Sequence, residues 1–322
     1  MAWQCLFSWK TSSQLRDFAV LSKGFCLRRP TAANIFHQGP LFDAKPGNAA
    51  NLELVIALAT ASQKGGVGKT TVCINLGHAL ARRGWNVLLV DTDPQGGIGL
   101  SLSRSTRKKR GFYDFLVHGG QVRTHILPTR LPEFSILPCG QPDEFLRKQD
   151  LSTVPDRLVD LLRQTEIQGY DCVILDTAAG LSGLSEVVVR KADWVLIPQQ
   201  AEPLAVRSVP LLLETLARFR AEGAPVRFAG ILLTMLMEAQ QASLKVAKEL
   251  RQMLPAQLLF SQAIPRDPLF LEASALGLPL SLLRRNPPPA ALMFDQLAAE
   301  LEERVGLQQS KDQTESHASL LD

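Results

Sequence analysis

Residues 63–71 read Gln63-Lys64-Gly65-Gly66-Val67-Gly68-Lys69-Thr70-Thr71, three glycines set among two lysines and two threonines. Glycine lets a backbone turn successive amide hydrogens toward one point, and a helix starting directly afterwards aims the positive end of its dipole at the same place. A loop of this kind cradles phosphate oxygens. Lys69 is spaced to reach the β and γ phosphates of a nucleotide, and the Thr70 hydroxyl to take a position on Mg2+. The bland alternative is a Gly-rich turn with an incidental lysine. Its weakness is context, since an apolar run precedes the loop and Val72 to Ala81 follow it in helical period. One departure stands out. The ordinary phosphate loop carries glycine six positions before its lysine, where this chain has Gln63, with a further lysine, Lys64, beside it.

Two acidic stretches supply the groups that phosphate chemistry needs. In Leu88-Leu89-Val90-Asp91-Thr92-Asp93-Pro94-Gln95-Gly96-Gly97 an apolar run ends in two acids one residue apart. Both can face a cleft, because the chain leaves β geometry at the proline. A simple Asx turn closing a strand is the competing reading. Asp171-Cys172-Val173-Ile174-Leu175-Asp176 is a second apolar run ending in an acid, and an aspartate in that position can hold Mg2+ through water. Cys172 reads as a buried strand residue.

The elements that must position these groups are legible as texture. Residues 54–61, 86–90, 134–137, 172–175, 194–197 and 228–233 are too uniformly apolar for a half-exposed sheet, as buried parallel strands are. Helical period marks 69–83, 152–167, 182–191, 204–221, 240–253 and 290–304, with Leu211 to Leu213 and Leu216 expected in the core. Strand alternating with helix predicts an α/β fold: a doubly wound, mostly parallel sheet with helices on both faces, of the P-loop NTPase type. Ligands of such sheets lie beyond the carboxyl ends of the strands, where each motif above falls.

The KGGVGKTT arrangement resembles the deviant Walker A motif of the ParA/MinD family of dimerising ATPases, and the resemblance covers about residues 55–305. It implies ATP and Mg2+ as cofactors, with Gly65, Gly66, Val67, Gly68, Lys69, Thr70 and Thr71 around the phosphates. It also implies a homodimer in which Lys64 reaches the partner's ATP. A cation supplied in trans would make hydrolysis and dimerisation interdependent. Asp91-Thr92-Asp93-Pro94-Gln95-Gly96 looks like the family's second acidic motif. By that likeness Asp93 positions the attacking water, Asp91 supports the magnesium shell, and Thr70 and Asp176 complete it. Ala178-Ala179-Gly180 resembles the switch segment, without its usual proline. Ile197 to Glu202, Gly230 to Met235 and Ile264 to Asp267 look like the ParA branch, which would put Pro265 and Arg266 near the base or the dimer surface.

Formal charge is +4, and Arg104, Arg107, Lys108, Lys109 and Arg110 fall within seven residues. A basic loop suits sequence-independent phosphate contact, although such runs are often merely solvated. Lys245, Lys248, Arg284 and Arg285 offer a second basic surface, diluted by Glu249 and Glu272. No base-reading helix or paired aromatic platform is evident, so the expected partner is non-specific double-stranded DNA. The leading expectation is a ParA-like switch that holds DNA in its ATP state and partitions plasmid, chromosome or other cargo, with a ParB-like stimulating partner. The alternative is a MinD-like or cargo-positioning ATPase acting through protein partners without DNA. A metal-cluster carrier would need thiolates that Cys73, Cys139 and Cys172 do not group to provide.

Residues 1–53 show no sustained period. They read as an extension outside the fold: a disordered or over-read start, a transit peptide or a partner-binding arm. The tail 306–322 is polar and expected to be disordered, without the apolar face of a membrane-targeting helix. The fold itself is expected over 54–305. Five cysteines without a CxxC pair, and the absence of a membrane-length apolar run, point to a cytoplasmic protein, nucleoid-associated if it binds DNA.

Overall fold

Uniformly apolar central strands call for a sheet covered on both faces, and that is what the chain builds. The structure, a computed structural model, describes residues 55–102, 109–148 and 150–307. The expected extension 1–53, Arg104, Arg107, Lys108 and the tail from 308 onward lie outside the described residues.

The strands are β1 (Ile56–Thr60), β2 (Val87–Asp91), β3 (Leu127–Pro128), β4 (Phe134–Leu137), β5 (Cys172–Asp176), β6 (Trp194–Gln200), β7 (Arg227–Leu236) and β8 (Leu259–Pro265). Their order across the single sheet is β3-β4-β2-β5-β1-β6-β7-β8. Every pairing is parallel except the short edge contact of β3 with β4. The register decides the chemistry: Thr60 stands beside Asp176, and Asp91 beside Asp176 on the other side. The sheet therefore ends three motif-bearing strands at one level.

The helices are α1 (Lys69–Arg82), α2 (Gly97–Leu102), α3 (Phe112–His118), α4 (Asp143–Lys148), α5 (Val154–Ile167), α6 (Leu184–Lys191), α7 (Ala205–Ala221), α8 (Gln241–Met253), α9 (Leu269–Leu276) and α10 (Pro289–Val305). Helix α1 carries the phosphate loop and is held from both sides. Val72, Cys73, Ile74, Leu76 and Leu80 sink into a core with Leu58, Val87, Leu89, Ile174 and Phe134. The Phe294, Leu297 and Leu301 side chains of α10 join the same core. Each fully buried leucine here contributes about 1.5–3 kcal/mol by leaving water. Two polar ties add direction. The Leu280 amide donates to Asn75 Oδ1 at 2.8 Å, and Ser281 Oγ lies 2.9 Å from His78 Nδ1.

Six strands and six helices expected from the sequence form within a few residues of their predicted bounds. Helices α2, α3, α4 and α9 and strands β3 and β8 were not expected as elements. The helices have six to eight residues, too few for a periodic signal. One core assignment is corrected. Leu212, Leu213 and Leu216 are buried, but Leu211 is 58% exposed, because successive helical residues turn about 100° and Leu211 falls on the outer side of α7.

Candidate nucleotide site

The loop between β1 and α1 turns through left-handed backbone at Gly66 (φ 74°) and Gly68 (φ 90°), a conformation side chains with a Cβ resist. The amides of Gly65, Gly66, Val67 and Gly68 make no hydrogen bond among the described residues, and Gly68 precedes α1 without a side-chain cap. Lys69 opens the helix. It is only 8% exposed, yet forms no ion pair or hydrogen bond with any described side chain. A nearly buried ammonium whose nearest counter-charge, the Asp176 carboxyl, makes no direct ion pair with it leaves its donors free for an anion arriving from outside. Free amides, a helix start and this cation surround one point, so the arrangement fits the phosphates of a nucleotide. The loop is braced from behind, with buried Thr234 Oγ1 at the end of β7 donating to the Val67 carbonyl at 2.8 Å.

The acids converge as the register requires. Thr70 Oγ1 donates to Asp176 Oδ2 at 2.7 Å. On the other oxygen, the Cys73 thiol lies 3.6 Å from Asp176 Oδ1 and 2.9 Å from Thr60 Oγ1. Burial pushes the Asp176 carboxyl up to about 6, opposed by the Thr70 hydrogen bond and the Lys69 charge. Asp91 is fully buried. Its Oδ2 accepts the Ile98 amide at 3.0 Å, while its Oδ1 has no partner. Burial and the neighbouring Asp176 hold the Asp91 carboxyl well above the usual carboxylate range.

An orphaned carboxylate oxygen beside a second carboxylate and a threonine hydroxyl is a donor set suited to Mg2+. Among the described residues no three His, Cys, Asp or Glu side chains form a closed metal cage, so an ion here would share its shell with phosphate and water.

Asp93 sits at the rim, partly exposed. Its Oδ1 accepts the Gln95 amide at 2.9 Å, so the side chain also closes an Asx turn. Thr92 fastens this strand end to β5 through its hydroxyl, 2.7 Å from the Asp176 carbonyl. Tyr113, buried on α3, donates to the Thr92 carbonyl at 3.0 Å. Neither Thr234 nor Tyr113 was assigned a supporting role from the sequence. Thr234 lies in a motif string, but no local signal tells that its hydroxyl meets a carbonyl 167 residues earlier.

Lys64 is exposed and does not face the Lys69 pocket alone: its Nζ pairs with Glu202 Oε1 at 2.5 Å, just beyond β6. Pro265 ends β8, and the Arg266 amide donates to the Leu236 carbonyl, so both lie at the strand ends, and among the described residues neither makes a hydrogen bond or ion pair with the loop. The basic residues divide. Arg284 makes a two-pronged pair with Glu272 at 2.7 Å, and Lys245 lies 3.8 Å from Glu249. Lys109, Arg110, Lys248 and Arg285 are exposed without an ion pair among the described residues.

Residues 55–226 match a family model described as an AAA domain. The chain is 37% identical over 251 residues to the chromosome-partitioning ATPase Soj of Thermus thermophilus, covering 77% of this chain and 96% of that one. It is 35% identical over 231 residues to the chromosome partitioning protein ParA of Caulobacter vibrioides, covering 70% and 86%. In fold it matches the cell division ATPase MinD of Pyrococcus furiosus, with a TM-score of 0.62 at 23% identity over 78% of this chain and 99% of the other. Motifs, sheet and relatives agree: the chain belongs to the ParA/MinD family of deviant Walker A ATPases, on its ParA side.

Proposed function

We propose that this protein is an ATP-driven partitioning switch. Two chains close on each other in the ATP state and the closed homodimer retains double-stranded DNA without sequence preference. Hydrolysis, stimulated by a ParB-like partner, releases it. The observation that carries the nucleotide half is Lys69, nearly buried and without a hydrogen bond or direct ion pair among the described residues, at a loop of free amides. The partitioning half is supported by the relatives named for chromosome partitioning.

In this reading Gly65 to Thr71 bind and orient the triphosphate, with Lys69 neutralising its terminal charge. Thr70, Asp176 and Asp91 hold Mg2+, which supplies charge neutralisation on the phosphates when bound. Asp93, at the rim, accepts a hydrogen bond from the attacking water and orients it. Phosphoryl transfer is governed by such positioning more than by basicity, so an ordinary carboxylate suffices. Lys64 leaves Glu202 and reaches the partner's nucleotide, and Pro265 and Arg266 flank the base or the dimer surface. No helix of the described residues is long and apolar enough to cross a membrane.

The test is retention of long duplex DNA on a filter. Wild-type chain with ATP and Mg2+ should retain it in a salt-sensitive manner, and Lys69→Ala should lose both ATP binding and retention. A wild-type chain that dimerises with ATP but leaves DNA in the filtrate would replace this reading with cargo positioning through protein partners alone.

A further inference from the structure

The sequence places five cations between Arg104 and Arg110, and the last two, Lys109 and Arg110, make no ion pair among the described residues. Lys109 and Arg110 stand just before α3. Across from them the turn after Val122–Thr124 brings Thr124, His125 and Leu127, and together these five residues line a concavity of about 350 Å³. Among the described residues no carboxylate lines it. The nearest acid in sequence, Asp114, is turned inward, where its Oδ2 accepts the Gly111 amide at 2.9 Å and the Gln141 amide at 3.0 Å. The Thr124 hydroxyl is spent on the Gln121 carbonyl at 2.7 Å. Free donors in the concavity are therefore the Lys109 ammonium, the Arg110 guanidinium and the His125 ring.

We infer that Lys109, Arg110 and His125 form a phosphate-binding subsite, filled by a backbone phosphate of duplex DNA. Two adjacent cations that make no ion pair among the described residues are the chemistry of counterion release from a polyphosphate. Among the described lining residues Leu127 is the apolar wall, and none is an Asn, Gln, Phe, Tyr or Trp that would read or stack on a base, so the contact is indifferent to sequence. Of the C-terminal cations, Arg284 and Lys245 already answer Glu272 and Glu249, while Lys248 and Arg285 are free of ion pairs among the described residues but do not line this concavity. The subsite rests on the switch reading for the source of its phosphate, and the pocket can be tested apart from it.

The experiment is DNA retention by full-length chain with ATP and Mg2+ across a salt series, for wild type and Lys109→Ala/Arg110→Ala. Both residues are exposed, so the variant should fold, and fluorescent ATP binding and light scattering should match wild type. If each contacts one phosphate, the slope of log affinity against log salt falls by about 2, with a uniform loss of affinity across DNA sequences. An unchanged slope overturns the inference. Should wild type retain no DNA at all, the switch reading loses its DNA half, and the pocket is judged by His125 ring NMR shifts during titration with inorganic phosphate. Shifts in wild type that vanish in the double variant keep a phosphate subsite with a free anion as its source. No shift in wild type removes it.

Discussion

At the scale of the residue, the least comfortable group in the molecule is Asp91. It is fully buried, one oxygen has no partner, and Asp176 lies beside it in strand register. Unpaired buried carboxylates lower stability and survive where function needs them. Asp91→Asn keeps an oxygen for the Ile98 amide and removes the charge. Melting of the nucleotide-free variant should therefore rise by about 2–4 °C, the shift expected for roughly 1 kcal/mol in a domain of this size. The further rise on adding ATP and Mg2+ should shrink. A nucleotide-free variant that melts lower, with its magnesium response intact, would mean that Asp91 serves only to cap the turn at Ile98.

At the scale of the element, α1 must lie close to the sheet for the loop ahead of it to be rigid. Gly77 is where it approaches: a Cβ there would come 2.8 Å from the Phe134 ring and 3.3 Å from Ile174. Glycine to alanine inside a helix ordinarily stabilises by about 1 kcal/mol. The clash with a buried ring costs about 1–3 kcal/mol, so overpacking should win and Gly77→Ala should lower the urea midpoint. A raised midpoint would show that the helix can shift outward freely.

The same helix has a pH signature. Burial lowers the His78 pKa from 6.5 to about 4, with Arg82 adding to the effect. The unfolded chain then binds more protons than the folded one between these values, so stability rises with pH across the window and is lost as pH falls from 6.5 toward 4. His78→Gln, which keeps a partner for Ser281, should flatten that part of the stability curve by up to about 3 kcal/mol. Urea midpoints taken between pH 4 and pH 7 decide it. Equal slopes in the two proteins would assign the acid sensitivity elsewhere.

At the scale of the whole molecule, the question is what holds Lys64 before a second chain arrives. It rests on Glu202 in a pair whose lysine side is 46% exposed. Exposed pairs are worth about 0–1 kcal/mol, so the contact is a resting place and not a lock. Glu202→Gln should tighten ATP-dependent self-association by at most about fivefold for each pair released, or about thirtyfold for the two pairs of a closed dimer, with ATP affinity of the single chain unchanged. Sedimentation in the presence of ATP and Mg2+ measures this. Weaker association of the variant would instead place Glu202 among groups that bridge two chains.

The phosphate loop, the acids ending two strands and the alternation of strand with helix were readable in the sequence, because each depends on neighbours within about ten positions: glycine freedom, apolar runs and helical period. Leu211 shows the limit of that reading. An apolar run in a helix names the buried side only once the helix is laid on its sheet. What tertiary structure alone decided were the meetings of distant groups. Asp91 and Asp176 become neighbours through strand order, Thr234 braces Val67, Glu202 receives Lys64, and Lys109 and Arg110 face His125. Local chemistry can say which groups suit phosphate, but their distances are set by which strands lie side by side and how far each is slid along its neighbour, and no short window of sequence carries that information.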